Sequence, residues 1–188
     1  GSERVFKCLV ETFPEADIFT LSYNSRTTCS FFKDYKINTS WINKLIQTHN
    51  IFKISFPIST YIMQMWNFKS YDIIISSSAT TAKYISRFKG EHYCFGYYPT
   101  RAIWDYDKYF IKKSLLSKLF KFILPYLKKR DLNASKRVTC FISQSKVTQD
   151  AFNDIYGLDS PIINSPIEYE KFKKGTKEKT KNYYLIVS

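Results

Sequence analysis

Tyr71-Asp72-Ile73-Ile74-Ile75-Ser76-Ser77-Ser78 and Glu91-His92-Tyr93-Cys94-Phe95-Gly96-Tyr97-Tyr98-Pro99-Thr100-Arg101 are the two stretches that decide the fold. Each opens as a short apolar run and is released into polar residues, three serines in the first and Pro99-Thr100-Arg101 in the second. Apolar runs of about four to eight residues, bounded by turn signals and alternating with helix-like segments, are the pattern of buried parallel strands. Ligands of open parallel sheets collect outside the carboxyl ends of the strands. The residues at both junctions are therefore the first place to look for a site.

Working outward, the same alternation continues in both directions. Ser2 can cap a helix over 3–12 whose apolar stripe is Val5, Phe6, Leu9 and Phe13, stopped by Pro14. A strand is predicted at 17–23, then a loop with some ordered structure at 24–36. Short helices are predicted near 39–48 and 57–67, the second opened by Pro57. After the strand 72–76 come a helix near 79–87, the strand 91–97 and a long helical stretch over 102–135. A strand at 137–143, a helix at 145–156 closed by Gly157, and a short strand at 160–163 complete the alternation. The fold class is α/β with a mainly parallel sheet.

Composition narrows the functional classes. A chain of 188 residues with 44% apolar content can bury one domain-sized core. Its net charge of +13 favours anionic partners: nucleotide diphosphates, acidic lipid surfaces or nucleic acid. Cys8, Cys29, Cys94 and Cys140 are far apart, with no CxxC spacing, so they read as free thiols in a reducing, cytoplasmic setting. His49 and His92 stand alone, which argues against a histidine metal site. No stretch reaches the roughly 20 apolar residues of a spanning helix.

In this order the pieces resemble the N-terminal half of family 4 glycosyltransferases of the GT-B fold. Glu3-Arg4-Val5 is similar to the end of that family's GGxERV turn, and Phe13-Pro14-Glu15-Ala16-Asp17-Ile18-Phe19-Thr20-Leu21 to its FPxADIYTL segment. Residues 71–78 resemble its YDLVISSS strand, and Pro99-Thr100-Arg101 with Trp104-Asp105 its HTPxRxxWD turn. Asp131 to Lys146 resembles DrxSAdRVdxFIANSr. Tyr156-Gly157, Ile162 to Glu168 and Phe172 resemble YGr…VIYPPVDtxrF. The resemblance implies a Rossmann-like three-layer domain, the acceptor-side domain over 1–174, entered from a strand that would precede residue 1. Residues 175–188 then read as a lysine-rich linker and the first strand of a C-terminal donor-binding domain. It also implies transfer of a sugar from a nucleotide-sugar to a saccharide or lipid-linked acceptor, in surface polysaccharide or glycolipid synthesis, with no cofactor and no obligatory metal. Because the family's donor-holding motifs lie in the C-terminal domain, this chain by itself is expected to transfer no sugar.

The resemblance nominates substrate-binding residues. Gly1 and Ser2 would be the surviving edge of a glycine-rich turn, where backbone N–H groups at a helix start approach phosphate; a cloning remnant joined to Glu3 explains them equally. Arg101 follows a proline turn at a strand end, where a guanidinium grips phosphate or hydroxyls as a fork, or else forms a surface ion pair. Asn164 and Ser165 would border the interdomain cleft or form an ordinary turn. Tyr97 stands where the family carries a histidine, and a phenol cannot shuttle protons near pH 7 as an imidazole does. The catalytic residues are not assignable from this chain. Ser76, Ser77 and Ser78 are predicted to cap the following helix, and Trp104 to pack against the next one.

The stretch 114–130 carries a second signal. On a helical projection Leu115, Leu116, Leu119, Phe120, Phe122, Ile123, Tyr126 and Leu127 span an apolar arc of roughly 200°, with Pro125 kinking the helix. Lys118, Lys121, Lys128 and Lys129 share the opposite face. That is either a core helix with a solvated lysine face or a surface for an anionic membrane, peripheral on the inner face of the cell membrane. A rival to the enzyme reading is a catalytically inactive basic module, binding membrane or nucleic acid, or a pseudoenzyme fragment. No nucleic-acid-binding motif is visible in the sequence, so no nucleic-acid partner is expected.

Overall fold

A computed structural model describes residues 2–44, 56–78, 80–109 and 115–167. Five short strands and six α-helices are placed along them. Helix α1 (Ser2–Thr12) is followed by β1 (Ile18–Thr20), β2 (Ile37–Thr39) and α2 (Phe56–Met65). Then come β3 (Ile73–Ser76), β4 (Glu91–Gly96), α3 (Arg101–Trp104), α4 (Tyr106–Tyr109), α5 (Leu115–Ser135), β5 (Cys140–Ser143) and α6 (Lys146–Tyr156).

Every strand pair is parallel. β1 pairs with β2, Ile18 opposite Ile37. β4 is the centre of a second sheet in the order β3-β4-β5, with Ser76 opposite Cys94 and Gly96 opposite Ser143. The strands of this sheet therefore end together, and the residues that follow them share one rim. The chain is an α/β protein built on parallel sheets, an arrangement compatible with a Rossmann-like domain.

Two apolar clusters hold the larger sheet. One gathers Ile62 and Met63 of α2, Ile103 of α3 and Leu127 and Ala134 of α5 around Tyr84 and Ile85. The other packs Cys94 and Phe141 of the sheet against Phe152 of α6. Removing a fully buried ring such as Phe152 to Ala costs about 3–5 kcal/mol. A third cluster, Val10, Ile18 and Phe32, seats α1 on the small sheet, with Phe6 stacked on Phe32. At the entry to β4 the chain runs so close to its neighbour that a Cβ on Gly90 would lie 1.9 Å from the Asp72 carbonyl oxygen. That same carbonyl accepts the first ladder bond, from the Glu91 N–H.

Four local expectations change. Residues 80–87 form only a 3-10 turn at Ala82–Tyr84, because Lys83 and Tyr84 are drawn inward by tertiary bonds and Thr80 and Thr81 are poor helix formers. The stretch 102–135 is not one helix. It breaks at Asp105, where the Trp104 indole is anchored to Asp131, and residues 110–114 lie outside the described residues. The strand at 160–163 reduces to a single parallel bridge, Ile162 to Ser143, held by the Ser143 N–H on the Pro161 carbonyl and the Ile163 N–H on Ser143. β2 falls in a span read as a loop running into a helix. Three residues carry too little periodicity to announce a strand, and its pairing partner lies 19 residues upstream. The helix near 39–48 and the proposed boundary at 174–175 extend outside the described residues.

Candidate functional site

The site is built where β3, β4 and β5 end. Ser77, just past β3, bonds through Oγ to the Tyr97 hydroxyl at 2.7 Å, and that hydroxyl also donates to the backbone carbonyl of Ser2 at the start of α1 (3.4 Å). The Tyr97 carbonyl accepts from Thr148 Oγ1 (3.1 Å) and Gln144 Nε2 (3.4 Å), both beyond β5. Gln144 is in turn a hub. Its backbone carbonyl accepts from Asn164 Nδ2 at 3.0 Å, and its Oε1 from Ser165 Oγ at 3.2 Å. A hydrogen-bonded rim thus runs from Ser2 and Ser77, which both meet the Tyr97 hydroxyl, through Tyr97 and Gln144 to Asn164 and Ser165 across the strand ends.

Two cavities open on this rim. One, of about 200 Å³, lies between α1 and the small sheet and is bordered by Ser2, Glu3, Thr20, Tyr23 and Ser77. The other, of about 260 Å³, is bordered by Thr80, Thr81, Tyr97, Pro99, Arg101 and Tyr109. Tyr97 stands at the junction: it borders the second cavity, and its hydroxyl bonds to Ser77 and Ser2, which border the first. Arg101 is exposed and borders the second cavity, and its Nε lies 3.9 Å from Asp105 Oδ2, the surface ion pair that is its alternative reading.

Beneath the rim lies a buried charged knot. Lys83 and Asp131 are both inaccessible to solvent, with Lys83 Nζ 2.8 Å from Asp131 Oδ1. The ammonium also donates to Thr100 Oγ1 and the Tyr156 hydroxyl, each at 2.9 Å. Asp131 accepts from the Tyr84 and Tyr156 hydroxyls (2.9 and 2.7 Å) and from Trp104 Nε1 (2.8 Å). Burial lowers the Lys83 pKa, and the Asp131 charge opposes that shift. The phenols of Tyr84 and Tyr156 are pushed far up, by burial first and then by the Asp131 charge, so both stay donors. The knot ties the 97–104 turn, α5 and α6 together, and Arg101 is carried on the turn it fixes.

No family model, curated protein or solved structure matches the chain.

Of the residues nominated from sequence, Ser2, Tyr97, Asn164 and Ser165 lie on one bonded rim, and Arg101 shares a cavity with Tyr97. Gly1 lies outside the described residues. Ser76, Ser77 and Ser78 do not cap a helix. Ser76 Oγ bonds to His92 Nε2 (2.8 Å), Ser77 to Tyr97, and Ser78 Oγ accepts from the Thr80 N–H (3.2 Å). Lys121 and Lys129 are exposed on α5, as read from sequence, and the Lys118 side chain lies outside the described residues. Lys128 departs from that group: its ammonium sits 5.1 Å from the centre of the Trp104 ring. The apolar arc is also corrected, since Phe122 is 85% and Tyr126 55% exposed while Phe120 and Leu127 are buried.

Sequence reasoning missed Lys83, Asp131 and Gln144. Lys83 interrupts an otherwise weakly polar segment, and Asp131 is the single acid of a strongly basic helix; both were signals of buried pairing. Gln144 carried no signal, because its importance comes from where β5 ends.

Chemically, the rim offers hydroxyl, amide and guanidinium groups, which suit a polyhydroxylated or phosphorylated ligand. Burial raises the Tyr97 pKa, against the Ser77 hydrogen bond, so the phenol donates a hydrogen bond at neutral pH and does not act as a base. His92 is pushed down to about 4 by burial and holds Ser76 from inside the sheet, away from the rim. The Cys94 thiol is raised to about 11 by burial and is inert. Among the described residues no cluster of His, Cys, Asp and Glu is arranged to hold a metal ion.

Proposed function

We propose that this chain is the acceptor-side part of a glycosyltransferase of the GT-B kind, holding a saccharide, lipid-linked through phosphate, for a sugar delivered from a nucleotide-sugar. The observation that carries this reading is the convergence of Tyr97, Arg101, Gln144 and Asn164 at the carboxyl ends of parallel strands. Amide and hydroxyl groups match sugar hydroxyls, and an exposed arginine on a fixed turn matches a phosphate.

Sheet order supports the fold side of the reading. Tyr71, just before β3, donates to Asp17, just before β1, at 2.7 Å, and the Phe19 and Tyr71 rings meet at 6.0 Å. β1 and β3 are therefore linked through side chains near their starts, and at their ends Thr20 and Ser77 border one cavity. A strand feeding α1 between them would give the order β2-β1-x-β3-β4-β5, which is that of doubly wound nucleotide-binding sheets. The donor nucleotide would then be handled by a second domain across the rim.

The test is calorimetric titration with a water-soluble short-chain prenyl diphosphate saccharide. Binding is expected, and Arg101→Ala should weaken it about tenfold or more, the loss of one charge-assisted contact. Binding that is absent, or indifferent to that substitution, overturns the reading. One observation favours a second reading, a domain that holds the glycan without turnover. Tyr97 stands where a proton-shuttling imidazole is expected, and its raised pKa keeps it protonated.

A further inference from the structure

The seam between α2 and α5 is apolar where it faces water. On α2, Ile58, Tyr61 and Met65 recur at helical spacing on one face and are 57%, 48% and 58% exposed. On α5, Phe122 and Tyr126 are exposed one turn apart. The Tyr61 and Tyr126 hydroxyls bond to each other at 2.9 Å, so the two faces are stitched into one surface. Phe122 is 85% exposed, well beyond what a core helix leaves out.

The exposed charges on the described residues of these two helices have one sign. Lys121 and Lys129 flank Phe122 in the exposed arc of α5, and the Arg130 guanidinium lies 3.9 Å over the Tyr61 ring, bonded to Thr60 and Gln64. α2 contains no acidic residue, and the one acid of α5, Asp131, is fully buried against Lys83. Exposed apolar and tyrosine side chains beside the cations of α5, with no acid exposed on either helix, fit a single environment: the headgroup layer of an anionic bilayer. There rings enter the acyl boundary, tyrosine hydroxyls stay wet and lysines meet lipid phosphates. No helix among the described residues is long and apolar enough to cross the membrane, so contact would be from one side.

We propose that the α2–α5 face docks this protein onto an anionic lipid surface through Phe122, Tyr126, Ile58 and Met65, with Lys121 and Lys129 supplying the electrostatic attraction. The inference does not depend on sugar transfer. It also moves the contact from the lysine face read in the sequence to the aromatic seam beside it.

The test is co-sedimentation of the purified chain with vesicles of phosphatidylcholine alone or with phosphatidylglycerol, at low and high salt. Tight partition onto the anionic vesicles only, weakened by salt, is expected. Phe122→Ser should reduce it about tenfold, through lost apolar insertion. Lys121→Gln with Lys129→Gln should reduce it about fivefold for each lysine removed. All three side chains are exposed, and an unchanged thermal midpoint confirms intact folding. Equal binding to neutral vesicles, no binding, or binding that survives both variants overturns the proposal. So does single-stranded RNA that binds more tightly than the vesicles and loses affinity with the same substitutions, which would make the face a nucleic-acid surface.

Discussion

Lys83 holds an ammonium in a place water does not reach, and its surroundings decide what replacing it would do. Its partner Asp131 is equally buried and takes bonds from two phenols and an indole as well. Lys83→Met leaves that carboxylate unbalanced and is expected to cost about 3–5 kcal/mol in urea unfolding. Lys83→Met combined with Asp131→Leu should cost less than the sum of the two single changes, because it removes both charges together. His92 makes a pH prediction. Its folded pKa of about 4 lies below the 6.5 of an exposed imidazole, so the unfolded chain takes up a proton that the folded one refuses. The stability held at neutral pH is expected to fall by roughly 3 kcal/mol as pH drops from 6.5 to 4. His92→Gln should flatten that part of the stability–pH curve. Lys83 left only a faint trace in the sequence, a cation in an otherwise weakly polar stretch, and His92 left none: only the packed structure says that one is paired and the other kept neutral.

At the level of elements, the sequence spoke clearly wherever a local rule acted alone. α6 starts at Ser145, whose side chain accepts from the Thr148 N–H, and ends at Gly157, whose φ of 65° is the left-handed cap foreseen at that position. Gly157→Ala should cost about 1 kcal/mol in thermal or urea unfolding, since a Cβ is disfavoured there even with open space around it. β3 and β4 were legible for the same reason, each carrying a short apolar stretch, residues 73–75 and 93–95, released into marked turn residues. The 80–87 segment was not, because long-range bonds from Lys83 and Tyr84 override what its local pattern suggests. α5 was half legible. Its amphipathic period was visible, but the arc was drawn too wide, and Phe122 and Tyr126 proved to belong to the solvent side with Lys121 and Lys129.

For the whole molecule, what matters is that parallel strands end on one side and that chemically apt residues gather there. The parallel alternation was readable because crossover helices and buried strands leave distinct periods in the chain. The rim was readable only in part. Arg101 and Asn164 announce themselves at turns, whereas the Gln144 bridge between Tyr97 and Asn164 exists only once β4 and β5 are in register. Whether the rim holds the acceptor is tested by amide NMR of the labelled chain, titrated with the same short-chain prenyl diphosphate saccharide. The expected result is a saturable set of shifts confined to Ser77, Tyr97, Arg101, Gln144 and Asn164. Saturable shifts elsewhere, with these five amides unmoved, would contradict it.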